Sequence, residues 1–415
     1  MPGLIDVHCH LTYGEATTEE EIDLYTSHEM RTLLAAANAT KVLRAGVTSM
    51  SQPGGSYNIG VAIRDAVDRG LVHGPRITSA GRYLTTSNGL TDWFPDDVGV
   101  PAGSIGTVTN TVDEMRTEIR RQVKAGVDLV KVSDSPFGQF QAFTADEMQA
   151  ICDLAHQLGI ATTIHARGSA EVSAAVAAGF DWIMHGNLMD DDVIEQLAES
   201  RITLVPTLLY LANIADWPQV TEPTRAQVDG CRWMLERTGE TLHKAHEAGV
   251  TFAVGTDTGF AMTPYGEWHA RELELLVTYA GLSNLEAIAA ATVNGAPMLN
   301  KADELGRVAT GHLADLLLVD GDPTANLRVL LDPDRLTVIK GGQIQEFEDG
   351  LEDRHFRNDS LPNTYTRRLL TKDVIFDGAD PVRDYQHLPW GADEAADLFS
   401  DLQTLSPASM QGIGH

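Results

Sequence analysis

Two histidines open the chain two residues apart, His8 and His10 in "PGLIDVHCHL". In an extended strand, residues i and i+2 point to the same side, so both imidazoles project together and Cys9 projects the other way. Two imidazoles in an apolar interior must be hydrogen-bonded or bound to metal. Alone, the pair reads equally well as two satisfied core histidines. Four further residues shift that balance. "DLVKVSD" places Lys131 in the middle of an apolar run, and "TTIHARG" places His165 near the end of the next. "WIMHGN" does the same with His185, and "FAVGTDTG" ends a later run with Asp257. Counted from the glycine before each run, these four lie five, six, six and eight residues on. They therefore reach similar heights, and imidazole and carboxylate are ligands for zinc and its transition-series neighbours. Lys131 adds an amine whose pKa should fall in an apolar strand beside cations. A neutral amine can react with carbon dioxide to give a carbamate, an anion able to bridge two metals. An unmodified lysine paired with Asp257, or holding an anionic substrate, is the alternative.

The elements that must position these groups follow a repeat. Gly46, Gly126, Gly159, Gly179 and Gly249 each close a helical pattern and open an apolar run. Glycine past a helix end takes the left-handed conformation that stops it, and the run that follows reads as a buried parallel strand. Thr111–Glu114, Thr144–Glu147 and Ser283–Glu286 have capping-box spacing and mark helix starts. Strands are expected at 4–11, 47–52, 76–81, 128–134, 161–166, 182–186, 203–208 and 251–257. Eight such units predict an α/β fold, a (β/α)8 TIM barrel, with the six groups at the carboxyl ends of its strands. An open doubly wound sheet is the rival; no GxGxxG follows the first strand, which argues against its dinucleotide-binding form.

Beyond the expected barrel (1–300) the texture changes. "ADLLLVDGDP" and "LTVIKGGQIQEF" read as strands and turns, the remnant of a small β-sandwich domain over 301–348. Residues 349–415 form an acidic, irregular C-terminal extension, expected to wrap the body or a neighbouring subunit in a homo-oligomer. Trp390 and Phe399 argue against a wholly loose tail. With 30 basic and 59 acidic residues the net charge is -29, which disfavours nucleic acid as a partner. No apolar run is long enough for a bilayer, and no basic and apolar leader opens the chain. Three scattered cysteines fit a reducing compartment. A cytoplasmic location without membrane partners is the expectation.

Together, "PGLIDVHCHL", "VDLVKVSD", "TTIHARG", "IMHGN", "LVPTL", "GTDTG", "AATVNGAPML" and "GHLADLLLVDGDP" resemble the amidohydrolase superfamily in its imidazolonepropionase-like and prolidase-like branch. The resemblance runs from about residue 2 to residue 348. It implies two divalent ions, zinc first, with cobalt or manganese also compatible. His8, His10 and Asp257 would hold one, His165 and His185 the other, and Lys131 as a carbamate would bridge them with a shared hydroxide. Asp257 would move the proton from that hydroxide to the leaving amine, and Tyr210, just past "LVPTL", could donate a hydrogen bond to the carbonyl oxygen. The resemblance also implies strands ahead of the His8 strand. Without them, "ADLLLVD" and "TVIKGG" are expected to present unpaired edges.

The chain departs from the branch where loops line the pocket. "VTSMSQPGG" stands where Arg-Asp-Gly is common, "LTTSNGLTDWF" lacks a usual histidine, and "SDSPFGQF" replaces small glycines. Trp93, Phe94, Phe137 and Phe140 point to an aromatic pocket for a small molecule or, equally, to ordinary loop packing. His243, His246 and His269, on helical segments, read as structural or exposed. The expected activity is metal-dependent hydrolysis of an amide-type C–N bond, other than a peptide bond, in an amide, urea or (thio)carbamate. The aromatic loops make the chain look similar to hydrolases of phenylurea and thiocarbamate herbicides, a xenobiotic-degrading role. A dipeptidase or N-acyl-amino-acid hydrolase is the alternative. It needs a cation for the substrate carboxylate, from Arg82, Arg167 or Arg271. A non-catalytic metal-containing binding protein is the reading from another class.

Overall fold

In a computed structural model of the chain, residues 1–351, 353–356, 369–378 and 381 are described. The strands are β1 (Leu4–Asp6), β2 (Val47–Gln52), β3 (Arg76–Ser79), β4 (Tyr83–Thr85), β5 (Gly106–Val108) and β6 (Leu129–Ser133). They continue as β7 (Ala161–Gly168), β8 (Trp182–Leu188), β9 (Thr203–Val205), β10 (Leu316–Val319), β11 (Leu336–Lys340) and β12 (Gln343–Ile344). All five junction glycines take a positive φ, between 75° and 92°, so each ends its helix as expected. Thr144 and Ser283 form full capping boxes with Glu147 and Glu286, and Thr111 accepts from the Glu114 N–H.

Parallel pairing gives one sheet in the order β1-β2-β3 and another in the order β5-β4-β6-β7-β8-β9. Backbone bonds join the two sheets. On one side the Asp128 N–H donates to the Ser79 carbonyl. On the other, residues 251–257 run between β9 and β1, through a parallel Leu204–Phe252 bridge and bonds from Val7 to Val254 and from Asp257 to His8. The architecture is an α/β barrel of the TIM type, with helices packed on the outside of the strands. One apolar cluster, including Ile5, Val7, Leu129, Trp182, Val205 and Ala253, fills the barrel; a larger one, including Leu4, Val130, Ile164, Ile183 and Leu204, packs strands against helices. Each such side chain contributes about 1.5–3 kcal/mol by leaving water.

Several boundaries differ from the sequence reading. The expected strand 4–11 ends at Asp6, in a bend at Val7 and His8, and 203–208 ends at Val205. Residues 251–257 form no continuous strand and pair only through isolated bridges and single bonds. The third unit splits into β3 and β4, with β5 as an unexpected neighbour of β4. Beyond the barrel, β10-β11-β12 is an antiparallel sheet. "ADLLLVD" does not present a bare edge as expected, because Met1 and Leu317 exchange hydrogen bonds and Pro2 bridges Leu316. Trp390 and Phe399 lie outside the described residues. Farther in, Leu370 is buried, pairing through backbone with Ala261 and accepting from the Trp268 indole. No helix among the described residues is long and apolar enough to cross a membrane.

Candidate active site

The β6–β7–β8 ladder sets the heights of three site residues. Lys131 pairs with Thr163, Ser133 with His165, and Ala166 with His185. Lys131 thus starts one pleat deeper than the histidines and reaches up with its longer side chain. Simple alternation accounts for Lys131 and His165, which share the inward parity of Leu129 and Ala161. It fails for His185. Trp182 and Met184 already face the interior, so the next residue should face the helices. His185 and Gly186 instead adopt positive φ, 79° and 59°, which turns the imidazole back toward the mouth. The bend at Val7 and His8 does the same for His8 and His10, since Val7 also belongs to the interior cluster. Asp257 and Thr207 have positive φ as well, 54° and 59°. Such backbone costs of order 1–3 kcal/mol per residue and persists where surrounding structure over-determines it.

The groups meet as follows. His8 Nε2 and His10 Nε2 lie 3.5 and 3.1 Å from Asp257 Oδ1, and one ligand atom from each residue falls within 4.8 Å of the others. The His185 ring sits 5.4 Å from that of His8 and 4.2 Å from that of His165. Apart from Asp257, half-buried at the mouth, these residues are at most 5% exposed. Gly255 allows the approach: a Cβ there would stand 2.5 Å from that of His8. Tautomers are set from behind. His10 Nδ1 donates to the Gly54 carbonyl at 2.8 Å. His8 Nδ1 lies 3.0 Å from Thr207 Oγ1, whose proton goes to the Val205 carbonyl. Each ring therefore turns an Nε2 lone pair toward Asp257.

Asp6 anchors the two chain segments that carry these ligands. It accepts from the His8 and Thr256 N–H groups at 3.1 and 3.2 Å, from Thr256 Oγ1 at 2.6 Å and from His269 Nδ1 at 2.7 Å. His269 lies in a turn, not on a helix as expected, and is buried; His243 and His246 are partly exposed beside Glu247 and Glu286. Glu272 accepts from the Leu208 and Leu209 N–H groups, fixing the turn that carries Thr207 and Tyr210. Asp6, Thr207, Thr256 and Glu272 were not singled out from sequence. Asp6, set between Ile5 and Val7, is the one of the four whose neighbours signal a buried carboxylate.

Burial holds His8, His165 and His185 well below the usual histidine range, so they are neutral ligands at neutral pH. It also lowers the Lys131 amine from 10.5 to about 7, opposed by Asp257 and reinforced by Arg167. That amine rests against the Met184 sulfur, with the Tyr83 ring 5.7 Å away; no carboxylate among the described residues pairs with it. Burial would raise Asp257, but His8, the hydrogen bond from His10 and the Lys131 amine beside it hold its carboxyl well below the usual carboxylate range. Tyr210 stands beside Phe260 at 5.2 Å, and burial keeps its phenol protonated. The Trp93 indole donates to Asp23 and packs near Tyr13 and Tyr83, the former stacked on His10. Phe94, Phe137 and Phe140 are half-buried.

The donor set fits divalent ions. Three electron-rich atoms converge at His8, His10 and Asp257, and among the described residues His165 Nε2 and both nitrogens of His185 are buried without a hydrogen-bond partner. Buried polar atoms are rarely left so.

Comparison with known proteins agrees. The amidohydrolase family matches residues 1–344. An ochratoxinase from Aspergillus niger is 27% identical over 374 residues, covering 83% of this chain and 75% of its own. The crystal structure of a Xaa-Pro dipeptidase with bound methionine is 28% identical, with a TM-score of 0.72 over 83% of this chain and 86% of that one. Phenylurea hydrolase B, at 20% identity, shares the fold, with a TM-score of 0.64 over 83% of this chain and 84% of its own. The chain belongs to the amidohydrolase family.

Proposed function

We propose that this hydrolase cleaves an amide-type C–N bond of a small molecule, using two divalent ions, zinc first. His8, His10 and Asp257 would hold one ion and His165 and His185 the other, with Lys131 as a carbamate between them. The observation that carries this reading is the convergence of His8, His10 and Asp257, with both imidazole tautomers fixed so that Nε2 faces the carboxylate. Ions bound there supply an ionised water at neutral pH, where its pKa falls to about 7, and polarise a carbonyl.

The chain's own residues do the rest. Asp257, ionised and half-buried at the mouth, accepts a proton at its carboxylate and returns it to the departing nitrogen. The Tyr210 phenol, kept protonated, is a donor for the carbonyl oxygen as negative charge develops there. Thr207 and Gly54 hold the two imidazoles in register throughout. The test is the metal content per chain together with turnover on amides, ureas, carbamates, anilides and dipeptides. Two ions per chain and cleavage of one of these classes is the expected result. Full metal occupancy with no cleavage across the panel would make the barrel a binding protein.

A further inference from the structure

Three arginines could meet an anionic substrate, and the structure separates them. Arg82 donates to the backbone carbonyls of Ser104, Pro101 and Gly106. Arg271 is bound by Asn213 and Asp216 and lies over the Trp217 and Trp268 rings. Arg167 has no such occupation. It follows His165 by two residues on β7, so both side chains leave the same face of the strand, with Arg167 nearer the solvent. Its one side-chain hydrogen bond among the described residues runs from Nη1 to Asn187 Oδ1 at 2.5 Å. Among the described residues its buried Nε has no hydrogen-bond partner, and no carboxylate forms an ion pair with it. Glu171 is near, but its carboxylate receives the Arg167 and Gly168 backbone N–H groups.

The guanidinium is also held in place. Asn187 directs its oxygen at Arg167 because its Nδ2 donates to Thr238 Oγ1 at 2.9 Å, and Thr238 in turn donates to the Met234 carbonyl. The charge of Arg167 is felt by His165, His185 and Lys131, and Asp257 and Glu171 act on it in turn. A fixed, half-buried cation above a cationic metal site is unfavourable unless an anion joins it. Its planar fork suits a carboxylate.

We propose that Arg167 is the specificity-determining residue that binds a carboxylate close to the scissile C–N bond, so that the substrates are N-acyl amino acids rather than uncharged ureas or carbamates. The inference rests on the hydrolase reading for its activity test, and binding tests it separately. N-benzoylglycine and N-benzoylphenylalanine serve as acid probes, with N-methylbenzamide and N-benzoylphenethylamine as their uncharged counterparts. The metal-loaded enzyme should prefer the acids, and Arg167→Met should lower the acid-to-neutral ratio of kcat/KM by roughly 30- to 100-fold, mostly through KM. Arg167→Lys, which keeps the charge without the fork, should fall between. Calorimetry on the metal-free protein should show binding of the acids that Arg167→Met loses, with thermal unfolding confirming that both variants fold. Equal use of acid and neutral probes by the unaltered enzyme, or an unchanged ratio in Arg167→Met, would overturn the role of Arg167 while leaving the hydrolase reading intact. Acid binding that depends on Arg167 without hydrolysis of any probe would do the reverse. Failure to bind or cleave the acids overturns the inference.

Discussion

Lys131→Met is expected to make the metal-free protein more stable while abolishing the metal site. The Lys131 amine is fully buried, and burial lowers it from 10.5 to about 7. At roughly 1.4 kcal/mol per pH unit, that displacement corresponds to about 5 kcal/mol of penalty on the charged form. At pH 7 the folded amine is half protonated and the unfolded one fully so, which leaves a net cost near 4 kcal/mol, to order of magnitude. The sign follows from proton binding. Between pH 7 and 10.5 the unfolded chain binds more protons than the folded one, so wild-type stability rises with pH across that window. Methionine fills a similar volume and carries no charge. Urea unfolding of chelator-treated protein, followed by tryptophan fluorescence, should therefore give a higher midpoint for Lys131→Met at pH 7. The gap should narrow by about 2 kcal/mol at pH 9. Metal titration of the same variant should show the ions lost. A metal-free variant less stable than wild type, a gap that ignores pH, or undiminished metal binding would refute the reasoning. A residue that weakens the fold at neutral pH is explained by what it does in the loaded site.

Two further outcomes follow from the groups behind the ligands. Asp6→Asn should lower metal affinity by roughly 10- to 100-fold with the fold retained, because Asp6 ties His8, Thr256 and His269 together; competition against a chromogenic chelator measures it, and unchanged affinity would mean the two segments are held by other contacts. Arg271→Lys should cost about 3 kcal/mol or more, since it leaves the fully buried Asp216 poorly paired and empties the space over Trp217. A thermal midpoint within a degree of wild type would contradict that account.

The sequence alone determined the repeat and the residue types. Glycine past a helix end, capping boxes and β-branched runs are local signals, and each junction from Gly46 to Gly249 behaves as its neighbours dictate. His8, His10, Lys131, His165, His185 and Asp257 stood out because polar groups in apolar runs need a reason. Local pattern could not show how His8, His10 and His185 reach the mouth. Period-two alternation sends His185 outward; the left-handed backbone at His185 and Gly186, over-determined by packing, brings it in. Nor could it choose among Arg82, Arg167 and Arg271, since a guanidinium's availability depends on acceptors from elsewhere in the chain, Ser104 for one and Asp216 for another. The roles of Asp6, Thr207 and Glu272 were hidden for the same reason: they are hydrogen bonds to Thr256, His8 and Leu208, partners 250, 199 and 64 residues away. Composition and spacing report what a residue is and which way its own strand or helix would turn it. Which groups share a site is decided by contacts that exist only once the barrel has formed.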